Sequence, residues 1–133
     1  MKILRNYQKE VIIKILEILK VKNNTLCVMS TGAGKTYTFC HLIKQFIGEC
    51  SENKNILVLQ DRWEIFEQNI NTFKEVAPNL GVSQINSNNK EIHSPVTFAM
   101  VQTLHKNLKL LTRFDLVIID ECHHSLRAKE ATQ

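Results

Sequence analysis

The sequence has no Cys-x-x-Cys pair, no internal repeat and no low-complexity linker, and its polar excursion at 86–90 is only a local Asn-rich loop. Each absence removes a class of protein. Its four cysteines are Cys27, Cys40, Cys50 and Cys122. Cys27 and Cys40 stand in apolar surroundings and read as small core residues, and the set implies a reducing compartment without disulfides. Cys122-His123-His124 offers the beginning of a zinc site, but no second cluster with metal-ligand spacing accompanies it. The longest apolar stretch, over 11–19, carries Lys14 and Glu17 and is too short and too charged to span a bilayer. The N-terminus turns amphipathic early and shows no small-residue cleavage site, so an intracellular protein, neither secreted nor membrane-bound, is expected.

What is present fits one domain. The chain has 133 residues, ordinary apolar content and a formal charge of +4. Lysines far outnumber arginines and are spread along the chain. A polyanionic partner is compatible with this balance, although most of the lysines read as solvated surface.

Hydrophobic spacing predicts helices alternating with strands. Asn6 is placed to cap a helix over 7–20, where Val11, Ile12, Ile15, Leu16, Ile18 and Leu19 make one apolar stripe. A buried strand follows over 25–29. The next helix is expected over 35–47, with Phe39, Leu42, Ile43 and Phe46 inward and Gly48 as its stop signal. A continuous apolar strand over 55–59 precedes a helix over 62–75, which carries Ile65, Phe66, Ile70 and Phe73 and is bounded by Pro78 and Gly81. Short strands over 82–85 and 96–101, a helix over 103–111 that carries Leu104, Leu108 and Leu111, and a last strand over 116–119 complete the series. This alternation is the signature of an α/β fold, a parallel sheet with helices on both faces. Ligands of such sheets bind beyond the carboxyl ends of the strands. Lys35, Asp61, Gln102 and Asp120 each follow a strand and are expected on that rim.

Residues 29–36 read Met-Ser-Thr-Gly-Ala-Gly-Lys-Thr. Strand, glycine loop, Lys-Thr and helix come in the order that a phosphate-binding loop needs. Gly32 and Gly34 let backbone N–H groups converge without Cβ clashes, and a helix N-terminus favours the anion. Lys35 would reach the outer phosphates and the Thr36 hydroxyl would hold Mg²⁺. The general pattern has glycine where this chain has Met29. Asp120 and Glu121, at the end of the last strand, would hold Mg²⁺ and orient the attacking water respectively. The plainer alternatives are a glycine-containing turn with a surface lysine, and a carboxylate pair at a helix N-terminus.

Five stretches, in order, resemble the first part of the N-terminal RecA-like domain of a superfamily-2 helicase or translocase of the DEAD/DEAH type. Leu4-Arg5-Asn6-Tyr7-Gln8 resembles the Q-motif region, and residues 30–36 resemble motif I, the Walker A loop. Val58-Leu59-Gln60-Asp61-Arg62, with Ile65 and Gln68, resembles motif Ia; residues 96–104 resemble the region around motif Ib. Asp120-Glu121-Cys122-His123 resembles motif II. The Asp-Arg after the motif Ia strand and the Cys-His-His after Asp-Glu are similar to the motor subunits of type I and type III restriction enzymes.

The resemblance implies an ATP- and Mg²⁺-dependent helicase ATPase acting on nucleic acid, DNA ahead of RNA. It implies nucleotide contacts from Arg5, Gln8, Ser30, Thr31, Gly32, Ala33, Gly34, Lys35 and Thr36, with Gln8 reading adenine. Thr36 and Asp120 would serve Mg²⁺, and Lys35 and Glu121 would be catalytic. Arg62, Gln102 and Thr103 would touch the nucleic-acid backbone, and His123 would couple the two sites. An exposed helix residue is the plain alternative for Gln8, and a surface charge for Arg62. His105 and His124 have no implied role.

The resemblance makes residues 1–133 part of one helicase ATP-binding domain, without motif III or the second RecA-like domain. That second domain carries the family's arginine fingers, so a further domain or partner chain is expected for full activity. In this class the strand after motif II lies between the strands that carry Lys35 and Asp120. Those two strands are therefore expected to lack a bridge here, leaving the chain marginal, aggregation-prone or dependent on another chain. Two other functions stay open. One is a non-hydrolysing nucleotide- or nucleic-acid-binding remnant or regulatory fragment. The other is a different P-loop enzyme such as a small kinase, against which Gln8 and the Asp-Glu-Cys-His box argue.

Overall fold

A computed structural model describes residues 5–21, 25–30, 34–49, 54–110 and 114–121. Its elements are α1 (Asn6–Val21), β1 (Thr25–Ser30), α2 (Lys35–Glu49), β2 (Ile56–Gln60), α3 (Trp63–Val76), β3 (Val82–Ile85), β4 (Val96–Met100), α4 (Val101–Lys106) and β5 (Leu116–Glu121). One turn of 3₁₀ helix (Leu108–Leu110) follows α4. No described helix is long and apolar enough to cross a membrane.

The strands form one sheet in the order β1-β5-β2-β4-β3, and every described pairing is parallel. Parallel neighbours need long crossovers; helices lie between most successive strands, and the loop over 86–95 joins β3 to β4. All strands therefore end on the same rim, and the residues that follow them meet there.

The expectation that the strands of Lys35 and Asp120 would stand apart is overturned. β1 and β5 pair directly, from Thr25 opposite Leu116 to Ser30 opposite Glu121. Buried strand edges with unmade hydrogen bonds are costly, so two adjacent parallel edges close on each other.

The two faces are covered unequally. Ile12 and Leu16 of α1, Phe39, Ile43 and Phe46 of α2, and Phe66, Ile70 and Phe73 of α3 pack with Ile56, Val58, Val96, Phe98, Leu116 and Ile118 of the sheet. Each helix presents these residues at the spacing of one face, which is why the periodicity finds them. Fully burying side chains of this size contributes about 1.5–3 kcal/mol each before conformational entropy is subtracted. The opposite face has a smaller cluster, Leu57, Ile85, Ala99 and Leu104, with Leu59, Phe114 and Val117 partly buried against it. At the amino-terminal ends of the strands, the Asp115 N–H donates to the Asn55 carbonyl at 2.7 Å. The Asn55 N–H in turn donates to Asp115 Oδ2 at 2.9 Å. This reciprocal pair fixes the register of β2 against β5.

Element boundaries differ from the periodicity in instructive places. Asn6 is the first residue of α1 and not its cap. The Arg5 N–H just ahead of it is satisfied by Gln8 Oε1, a side chain three residues on reaching back as in a capping box. Val101 opens α4 instead of closing β4. α4 stops at Lys106 because the Asn107 amide donates to the Thr103 carbonyl at 2.8 Å and its N–H turns to the Leu104 carbonyl, which tightens the chain into the 3₁₀ turn. Leu108, expected inward, is exposed as a result.

Gly48 does not stop α2, which runs on to Glu49. Stopping would need a left-handed backbone, and among the described residues only Gly34 has a positive φ. A Cβ at Gly48 would meet nothing within 4 Å. Gly48→Ala is therefore expected to raise stability by about 0.5–1 kcal/mol, read as a higher urea midpoint with an unchanged slope.

Candidate functional site

The rim at the carboxyl ends of the strands carries most of the residues that the sequence nominates. Gly34 opens it. Its φ is +86°, a conformation that L side chains rarely adopt, and an added Cβ would lie 2.6 Å from Gln8 Nε2. Its carbonyl accepts from the Thr38 N–H at 2.9 Å, from Thr38 Oγ1 at 2.7 Å and from Gln8 Nε2 at 3.0 Å. The turn into α2 is thus pinned from both the helix and α1.

Gln8 is only 5% exposed. The plain alternative of an exposed helix residue is overturned, because its amide ties the Arg5 backbone to the Gly34 backbone. Arg5 itself is exposed.

Beyond Gly34, three side chains from three elements form a chain of hydrogen bonds. Thr36 Oγ1, in the first turn of α2, donates to Asn69 Oδ1 of α3 at 3.0 Å. Asn69 Nδ2 donates to Asp120 Oδ2 of β5 at 2.9 Å. A carboxylate only accepts, so the amide's NH₂ must face Asp120 and its oxygen must face the hydroxyl. Asn69 is fully buried, at 0% exposure. Sequence reasoning misses it, although a signal is there. Asn69 falls at helical spacing among Phe66, Ile70 and Phe73, a polar residue on the core-facing stripe of α3.

Charge gathers around Asp120. Burial pushes its carboxyl above the usual range; the hydrogen bond from Asn69 and the nearby Lys35 ammonium pull it down, and Asp61 pushes it up again. Burial, with a smaller push from Asp120, raises the thiol of Cys40 far above its ordinary value, which makes it an inert core residue as the sequence suggests. Gln60, at the end of β2, lies one step past the Leu59–Ile119 pair and so beside Asp120. It is 1% exposed, and neither atom of its amide has a hydrogen-bond partner among the described residues. Buried amides are seldom left so, and the position marks the rim as polar in purpose.

The residues nominated for a nucleic-acid backbone lie on the tops of β2 and β4. Arg62 precedes α3 and is exposed; Gln102 and Thr103 lie in α4. Gln102 Nε2 donates to the Asp61 carbonyl at 2.9 Å, which joins the two loops. Trp63, beside Arg62, is 45% exposed and stacks on Phe66 with ring centroids 5.2 Å apart.

Thr31, Gly32, Ala33 and His123 lie outside the described residues, as does the Cys122-His123-His124 triplet. Ser30 and Glu121 are described in backbone only, as the paired last residues of β1 and β5. A separate polar cavity of about 440 Å³ sits by β3, lined by Gln84, Lys90, Glu91 and His93 among others, and includes none of the nominated residues.

The chain is similar in sequence and in fold to known proteins. Residues 1–133 match the family described as type III restriction enzyme, res subunit. The chain is 33% identical over 136 residues to IRC3 of Saccharomyces cerevisiae, a candidate ATP-dependent helicase, covering 93% of the chain and 19% of that protein. It is 28% identical over 137 residues to the Escherichia coli type I restriction enzyme EcoAI endonuclease subunit, covering 96% of the chain and 16% of that protein. The chain thus spans less than a fifth of the length of these relatives. Its fold is similar to the Sulfolobus solfataricus SWI2/SNF2 ATPase core solved with dsDNA, with a TM-score of 0.73 at 15% identity, over 90% of the chain and 26% of that chain. It is also similar to the DNA-bound type ISP restriction-modification enzyme LlaBIII, with a TM-score of 0.53 at 17% identity, over 99% of the chain and 10% of that enzyme. Parallel sheet, glycine turn into α2 and a family match over residues 1–133 agree: the chain has a RecA-like α/β fold, similar to that of the SWI2/SNF2 ATPase core, and belongs to the type III restriction enzyme res subunit family.

Proposed function

We propose that the chain is the ATP- and Mg²⁺-binding part of a helicase or translocase motor that works on nucleic acid. The observation that carries this reading is the Thr36–Asn69–Asp120 bridge, which brings a hydroxyl from the start of α2 to a carboxylate at the end of β5. One hydroxyl and one carboxylate are hard oxygen donors, and Mg²⁺ asks for few protein ligands because it keeps waters and takes phosphate oxygens. The unpartnered Gln60 amide beside Asp120 suits the same hydrated ion. When bound, Mg²⁺ would neutralise charge on the phosphates.

The chain's own residues have distinct tasks in this reading. Ser30, Thr31, Gly32, Ala33 and Gly34 would cradle phosphate with backbone N–H groups at the start of α2. Lys35 would hold the outer phosphates and stabilise charge as the bond breaks. Thr36 and Asp120 would hold the cation, and Glu121 would orient the attacking water and take its proton. Gln8 and Arg5 would meet the base, and His123 would couple the nucleotide to the nucleic acid. Arg62, Gln102 and Thr103 would contact phosphates along a strand, which positions the polymer without reading its sequence. The solved relatives were bound to DNA or a DNA mimic, which favours DNA over RNA. A second RecA-like domain or a partner chain would complete the catalytic charge.

The test is ATP hydrolysis by the purified chain, with and without single- and double-stranded DNA, beside Glu121→Gln. DNA-stimulated turnover that Glu121→Gln abolishes is expected. Mg²⁺-dependent nucleotide binding without turnover, even with the downstream domain added, would reduce the role to binding.

Trp63 is the only tryptophan in the chain, so its fluorescence reports the Arg62 rim alone. Single-stranded DNA is expected to quench it. With Arg62 as the one cationic contact, affinity should fall roughly two- to fourfold between about 50 and about 200 mM salt. Arg62→Ala should weaken binding and flatten that salt dependence.

A further inference from the structure

We infer that Asn69 is a positioning residue that sets Thr36 and Asp120 for the cation; this rests on the reading of the site as an Mg²⁺–nucleotide site. A hydroxyl that offers a lone pair to a cation still carries a hydrogen, and that hydrogen needs an acceptor. Asn69 Oδ1 accepts it at 3.0 Å and so turns the lone pairs of Thr36 Oγ1 away from α3. Asp120 can reach a cation with one oxygen if its other oxygen is held. Asn69 Nδ2 holds Oδ2 at 2.9 Å.

One amide therefore uses its two different ends on two different donors to the ion. No other common side chain of this size both accepts and donates at a fixed separation. Full burial removes water as a substitute for either bond, so each is expected to orient its partner firmly. The packing of Phe66, Ile70 and Phe73 on either side fixes α3, and with it the amide. Groups that orient metal ligands from behind in this way affect metal affinity about as strongly as some ligands do.

The test separates cation coupling from stability. Affinity for a fluorescent ADP analogue is measured with Mg²⁺ and with EDTA, for the unaltered chain, Asn69→Leu and Asn69→Ala. The unaltered chain should bind more tightly with Mg²⁺. In both variants that gain should shrink by about ten- to a hundredfold, while affinity in EDTA stays within about twofold. General loosening would lower both affinities together, so that outcome overturns the inference, as does an unchanged Mg²⁺ gain. Loss of the folded circular-dichroism signal in both variants would assign Asn69 to the core alone and overturn it too. If the unaltered chain shows no Mg²⁺ gain, the reading of the site fails and takes the inference with it.

Discussion

Gly34→Val is expected to cost the chain roughly 3–5 kcal/mol, enough to leave little folded protein if its total stability is near the low end of about 5–15 kcal/mol. Three effects add. At φ +86° a β-branched residue is strained by about 1–3 kcal/mol. Its Cβ would stand 2.6 Å from Gln8 Nε2 and displace that side chain. Displacing Gln8 removes its bond to the Gly34 carbonyl and exposes the Arg5 N–H, at about 1 kcal/mol each. Urea unfolding of Gly34→Val, Gly34→Ala and Gly34→Ala/Gln8→Ala checks the division. The alanine variant should lose about 2–3 kcal/mol. Adding Gln8→Ala to Gly34→Ala should cost less than Gln8→Ala does alone, because the new Cβ has already displaced Gln8 from its bonds. An Ala variant as stable as the parent would show that the glycine turn is not needed for the fold.

Asp120→Asn is expected to move activity and stability in opposite directions. If hydrolysis depends on the cation, losing its carboxylate should lower turnover by about a thousandfold, equivalent to several kcal/mol of transition-state stabilisation. Stability without the cation should rise by about 1 kcal/mol. Burial raises the folded-state pKa of Asp120 above its unfolded value. A raised acid contributes stability that is complete below the unfolded pKa and is lost as pH rises through the folded one. The parent should therefore lose stability upward through the acid range above the ordinary carboxylate value, and Asp120→Asn should lose less. Asn69 can still donate to the oxygen of the new amide. Thermal melts across pH, set beside turnover, check both halves; a destabilised variant would mean that the carboxylate holds the rim together.

Gly34 and Asp120 are legible in the sequence because each belongs to a local pattern. Gly34 stands between a strand and a helix that begins with Lys-Thr, and Asp120 ends an apolar strand. Much of the fold is legible for the same reason. Phe39, Phe66, Phe73 and Leu104 recur at helical spacing and are buried as that spacing predicts. Asn69 escapes such a reading because its partners lie 33 and 51 positions away, and spacing carries no information about contacts at that range. The buried Gln60 reads only as part of a motif, and its orphan amide depends on what packs above β2. Direct pairing of β1 with β5 is a matter of which strand edges meet, which periodicity does not encode. Gly48 and Leu108 depart from expectation for a local reason: a stop signal acts only where the backbone turns, and Asn107 ends α4 earlier than the leucines imply.

The unequal covering of the sheet leaves a mark that a comprehensive mutational scan would show as arithmetic. In β2, β4 and β5 the residues facing the three-helix layer all carry even numbers: Ile56 and Val58, Val96 and Phe98, Leu116 and Ile118. Odd positions look the other way, where Leu59, Val117 and Ile119 are only partly covered. In β4 Thr97 and Ala99 are buried as well, so no alternation is expected there; tolerance to substitution should alternate with a beat of two in the later part of β2 and, most deeply, in β5. There the beat ends at Asp120, the position where intolerance stops being about packing and becomes chemical.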